Sequence, residues 1–130
     1  MGRENLSISR IESYLHSIID NVVSNNTFVG TLPETTDEQW NDMCLIDVSN
    51  AIYDLDAYGR GSVFVLLYAK PMGNGTKNVA TMNMLETKLE EVISNANNPF
   101  YLINKRSVHS EYDSARKWHC NIVELNIVIV

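Results

Sequence analysis

Apolar residues recur along this chain with two different periods, and the change of period marks out its elements. Ile8, Ile11, Leu15, Ile18, Ile19, Val22 and Val23 share one side of a helix. Ser9, three residues before Glu12, makes a capping-box pattern with Ile8 as its staple residue, and Ser24-Asn25-Asn26 closes the stripe. Further on, Ser62 to Ala69 is a continuous apolar run between Gly59-Arg60-Gly61 and Lys70 to Gly75, which predicts a strand buried on both faces. Asn78 then stands as the N-cap of a second amphipathic helix. Its Val79, Met82, Leu85, Leu89, Val92 and Ile93 point inward, with Asn83, Glu86, Lys88 and Glu90 on the opposite face.

The remaining segments are shorter or mixed. Thr27 to Thr31 reads as a short strand, Leu32 to Thr36 as a turn, and Asp37 to Asp42 as a single helical turn or a loop, so the conformation of residues 27–43 stays open. Cys44 to Val48 is a strand, and Ser49 to Tyr58 an irregular arm or a second strand turning at Ser49-Asn50. Asn95 to Pro99 breaks the chain before a strand at Phe100 to Ile103, and Lys105 to Lys117 forms a polar hairpin tip. Trp118 to Val130 is one long strand, and its end, Leu125 to Val130, is apolar at nearly every residue. Such a strand must be covered by a helix, a neighbouring strand or another subunit.

This order predicts one α+β domain over residues 1–130, a two-layer sandwich in which a mostly antiparallel sheet carries two helices on one face. The passage from Ser62 to Ile103 is a right-handed crossover. An apolar fraction of 45% and a charged fraction of 20% belong to an ordinary globular chain. No run reaches the ~18 apolar residues of a membrane span. Met1 to Leu6 carries neither a secretory leader nor a myristoylation pattern, so the chain is expected to stay in the cytosol of its maker. In that setting Cys44 and Cys120 are expected as buried, reduced thiols.

Charge changes the picture more than composition does. Residues 1–58 hold ten acids against two bases, a balance of −8, and residues 59–130 hold eight bases against six acids, a balance of +2. An acidic chain is a poor wrapper of duplex nucleic acid. Two halves of unlike charge can pack head to tail in a ring, or can both be plain solvated surface.

Four constellations invite chemistry. Asp42, Asp47, Asp54 and Asp56 could hold Mg²⁺ for a nuclease or phosphotransfer reaction, although acids near strand ends more often cap turns. Gly73-Asn74-Gly75-Thr76-Lys77-Asn78 precedes a helix N-terminus but lacks a phosphate-loop spacing. Tyr112, Arg116, Lys117 and Trp118, with Lys105 and Arg106, mix bases and aromatics as single-strand binders do, diluted by Glu111 and Asp113. His119 and Cys120 are strand neighbours on opposite faces and cannot act as a pair. His16, on the polar side of the first helix, reads as exposed, and no metal or cofactor is expected. Trp40 in its acidic loop is either a lid over the core or a docking residue.

The helix at the start, the acidic loop before Cys44-Leu45-Ile46-Asp47-Val48, the strand Val63-Phe64-Val65-Leu66-Leu67-Tyr68, the helix Val79 to Asn95 and the closing segment Lys105 to Val130 with Trp118 resemble, as an order of elements, the tail terminator or tail-completion proteins of long-tailed bacteriophages. The resemblance implies a non-enzymatic virion protein. It would form a homo-oligomeric, hexameric ring at the head-proximal end of the tail, touching tail-tube and neck or connector proteins. It would bind neither membrane nor a specific nucleic-acid sequence, although DNA passes through such a ring. On this reading Trp40, Tyr112, Arg116, Trp118, Leu125, Ile127 and Ile129 are interface residues. Charges at Ile127 and Ile129 would then block assembly and spare the fold. The rivals are the Asp-based metal enzyme and an adaptor that binds a protein partner through Trp40.

Overall fold

A computed structural model describes residues 3–48, 51–96 and 98–130. After a short 3-10 turn at Arg3–Leu6 come α1 (Ile8–Ile19), β1 (Thr27–Val29), β2 (Asp42–Asp47), β3 (Tyr53–Asp54) and β4 (Gly59–Ala69). Then follow α2 (Val79–Asn95), β5 (Tyr101–Asp113) and β6 (Trp118–Ile129). The strands form one sheet in the order β1-β2-β4-β6-β5, with β3 on the β4 edge beyond β2. Among the strands of the described residues, β1 and β2 pair in parallel and the other pairs are antiparallel. Both helices lie on one face, so the α+β sandwich read from the sequence is the architecture found.

Both helices follow their apolar stripes. Ile11, Leu15 and Ile19 of α1 and Met82, Leu85 and Leu89 of α2 are buried against the sheet, while Ile8, Val22 and Val79 at the stripe ends are exposed. The cap of α1 is Ser7 rather than Ser9: its hydroxyl accepts from the Arg10 amide at 3.3 Å. Asn78 caps α2 through the Thr81 amide at 3.1 Å, as expected.

Two strands run differently from expectation. β4 starts at Gly59, because Gly59 and Gly61 lie in the strand and offer room for Leu6 and Ile52, where a Cβ would overlap their side chains. It alternates along most of its length and is buried on both faces only at Leu67, Tyr68 and Ala69. β5 continues through the polar segment to Asp113, and only residues 114–117 turn, with Lys117 left-handed at φ +61°. The turn expected at Ser49-Asn50 lies outside the described residues.

β6 occupies the interior of the sheet, between β4 and β5, and this overturns its assignment as an interface. Leu125, Ile127 and Ile129 are all at 0% exposure, packed in the core beneath the helices. The chain covers its own apolar strand, so a charge at Ile127 or Ile129 would break the fold and not an assembly. Because β4 and β5 are each antiparallel to β6, they run parallel to one another, and α2 connects them across the strand inserted between.

Candidate interaction surface

Each face of the sheet has its own apolar cluster. The main core lies under α1 and α2. On the other face, Met43, Tyr68, Trp118 and Cys120 form a smaller cluster, with Phe28, Leu32 and Trp40 packed on it. Residues 30–41 make a strap over that cluster. Phe28 and Trp40 meet with ring centroids 5.6 Å apart. The strap is closed at its root by Gly30, at φ +81°, whose amide donates to the Ile46 carbonyl at 2.9 Å.

Arg116 pins the strap from the far side of the sheet. Its guanidinium donates to Thr36 Oγ1 at 2.7 Å and to the Pro33 carbonyl, and lies 3.6 Å from Asp113 Oδ2. Asp113 in turn accepts from the Ala115 and Arg116 amides at 3.1 Å each, holding the hairpin turn that carries the arginine. Lys70 adds a second pin, donating to the Glu38 carbonyl at 2.7 Å. Trp40 is therefore a lid, half-buried over Phe28 and Met43, rather than a free docking residue. Trp118 is buried beneath the strap, and Arg116 is spent on holding it. Of the residues expected at an interface, only Tyr112 stays exposed, its ring 5.0 Å from His119.

Register gives the rest of this face row by row. Nearest the strap, Leu45, Leu66, Ile122 and His109 lie side by side. Next come Asp47, Phe64, Glu124 and Ser107, then Ser62, Asn126 and Asn104, and last Arg60, Val128 and Leu102. Phe64 and Val128 are half-buried and Leu102 is 48% exposed. The strap thus closes half of the face and leaves the other half as a mixed apolar and polar surface.

The other constellations come apart. Asp42 and Asp47 sit at opposite ends of β2, and Asp42 accepts from Ser24 Oγ at 2.5 Å. Asp47 pairs with Phe64 and Asp54 with Gly59 along one edge of β4, five residues or roughly 17 Å apart and on opposite faces. Asp54 accepts from the Asp56 amide at 3.0 Å in a local turn. Among the described residues, no three His, Cys, Asp or Glu converge as metal ligands. The loop before α2 is closed on itself: Asn74 Oδ1 accepts from Thr76 N and Oγ1, and Gly75 N donates to the Met72 carbonyl at 2.8 Å. The hairpin bases are also dispersed, Lys105 pairing with Glu90 and Arg106 with Glu124 at 3.8 Å. His16 pairs with Asp20 at 3.8 Å.

One assembly escaped sequence reading. Lys77 Nζ donates to Asn121 Oδ1 and Ser110 Oγ, each at 2.8 Å, and Asn121 donates to the Glu86 carboxylate. These residues, 44 and 35 positions apart in the chain, clasp α2 to the hairpin, and Glu86 faces the sheet rather than solvent. No local motif announces such a contact.

The two thiols are free and buried on opposite faces, Cys44 in the main core and Cys120 under the strap. Burial pushes Cys120 up to about 12, opposed by its hydrogen bond with Tyr68, and burial raises Cys44 further still, aided by Asp42. Neither is a nucleophile near neutral pH.

Among the described residues no helix is long and apolar enough to cross a membrane. No protein-family model matches the chain, and no curated protein matches it either.

Proposed function

We propose that this protein is a non-enzymatic assembly subunit that joins copies of itself into a closed, hexameric ring, as a tail-terminator subunit does at the head-proximal end of a phage tail. The observation that carries this reading is the half-closed sheet face. A chain that builds a strap over one half of a face, and pins it at both ends, leaves Phe64 and Val128 half-buried and Leu102 exposed on the other half. Apolar side chains set among Arg60, Asn126, Asp47 and Glu124 match the composition of a surface that meets a partner and also contacts water. The order of elements supports the phage reading, with tail-tube and neck proteins as neighbours above and below the ring. The dispersal of the four aspartates, and two thiols held protonated, favour a structural role over catalysis.

Native mass spectrometry or light scattering across a concentration series tests this. A hexamer, or a monomer closing to one as concentration rises, is the expected result. A strict monomer or a stable dimer overturns the ring. Phe64→Ser should weaken assembly while the chain still folds, at a cost in unfolding of about 1–2 kcal/mol, as its half-buried side chain implies.

A further inference from the structure

The helix-free face carries opposite charges at its two ends. At the end far from the strap, an open groove is lined by Tyr53 of β3, Arg60 and Ser62 of β4, Asn126 of β6 and Arg106 of β5. Arg60 is exposed and makes no ion pair among the described residues. Arg106 stands at the β-bulge, its side chain 60% exposed, with Glu124 at 3.8 Å as the carboxylate facing it. Two guanidinium groups, a hydroxyl and a carboxamide make a donor-rich site, and its natural ligand is a carboxylate, which an arginine can hold with two parallel bonds.

At the other end the strap presents Glu34, Asp37 and Glu38, all exposed. Asp37 is engaged locally, accepting from the Gln39 amide at 2.9 Å. Lys70 holds Glu38 by its carbonyl and Arg116 holds Pro33 by its carbonyl, so the strap backbone is fixed while the Glu34 and Glu38 carboxylates stay available. Arg60 and Tyr68 are eight residues apart on β4, roughly 26 Å, so groove and strap cannot meet within one chain.

We infer that the groove between Arg60 and Arg106 receives the Glu34–Glu38 strap of a second copy. This rests on the assembly reading above and names the surfaces that meet. Donor site and acidic segment are different patches of the same molecule, so the contact is heterologous and repeats from copy to copy until it closes. A preformed strap loses little freedom on docking. Nucleic acid is the weaker occupant, because the chain's net charge of −6 repels a polyanion at long range.

The test is charge exchange, read by analytical ultracentrifugation. One variant carries Arg60→Glu and Arg106→Glu, and the other Glu34→Lys and Glu38→Lys; Arg60→Glu alone guards against misfolding beside Glu124, and circular dichroism confirms the fold of each. Each variant alone should associate roughly tenfold more weakly than wild type or worse. Mixed in equal amounts, the two reversed variants become complementary again and should regain assembly in alternation. If wild type assembles but the arginine variants assemble equally well, or the mixture stays apart, the pairing is overturned while the ring reading stands. If wild type is monomeric throughout, the ring reading falls and takes the pairing with it. If the arginine variants assemble normally but lose binding to a single-stranded oligonucleotide that wild type holds, the groove serves nucleic acid instead.

Discussion

On the helix side of the sheet, Leu125, Ile127 and Ile129 lie at 0% exposure beneath α1 and α2. Their sequence neighbours Asn126 and Val128 point to the other side and are only half-buried, outside the reach of the strap. One strand therefore serves a core with one set of side chains and a surface with the other. The helix side is closed by two amphipathic helices whose stripes pack on residues of four strands, β2, β4, β5 and β6. The strap side is closed by a loop that depends on one arginine and one lysine. The same sheet thus has a face specified by extensive packing and a face specified by a few polar pins, and the second kind leaves room for a partner.

The largest expected effect separates the faces at adjacent residues. Ile127→Ala should cost about 2–5 kcal/mol in urea unfolding, the range for emptying a packed core site. Val128→Ala should cost under about 1 kcal/mol, as a half-buried side chain implies. Equal losses at the two positions would mean that both sides of β6 are packed alike.

The strap should come next. Arg116→Ala removes its pin and should cost about 1–2 kcal/mol, with Trp40→Ala similar, through loss of a charged hydrogen-bond donor or a half-buried ring. The cysteines give a finer reading, since each face holds one. Thiol labelling of the native protein should modify Cys120 before Cys44, because strap opening exposes Cys120 without global unfolding. Arg116→Ala should speed labelling of Cys120 and leave Cys44 unchanged. Faster labelling of Cys44 would mean that the helix side opens first.

Alkaline pH perturbs both faces at once. Cys120, Cys44 and Tyr68 are all raised by burial, so the native chain keeps protons that the unfolded chain releases. The stabilisation is complete below the ordinary thiol range and is lost as pH rises through it toward the raised values. Urea midpoints should therefore fall between about pH 8 and pH 10, where unfolded thiols ionise. A Cys120→Ser and Cys44→Ala double variant should flatten that decline.

Legibility in the sequence followed burial. The stripes of α1 and α2 and the run at Val63 to Ala69 are dense enough in apolar residues to announce themselves. From Asn104 to Tyr112 β5 is exposed on both faces, so that stretch carries no alternation and resembles a loop. The end of β6 misled for the opposite reason: Val128 and Val130 fill the alternate positions, hiding the period-2 pattern of Leu125, Ile127 and Ile129. Ser7 precedes the first helical turn and Ser9 lies within it, and only geometry shows which of the two caps the helix. Arg116 finds Pro33 and Thr36 from 83 and 80 positions away respectively, and nothing local encodes such a meeting.

The insertion of β6 between β4 and β5 also sets an order of events during synthesis. β6 is the last of the six strands to leave the ribosome, yet it fills the middle of the sheet. Until it arrives, the β4 and β5 edges that pair with it have no partner strand. Its pairing with β4 is a long-range event between residues 59–69 and 118–129, slow by the measure of sequence separation. A crowded cell producing many copies at once would present those open edges to other nascent chains, where pairing in trans competes with pairing in cis. The protein's yield on rapid overexpression should then depend on how fast its last twelve-residue strand finds its slot.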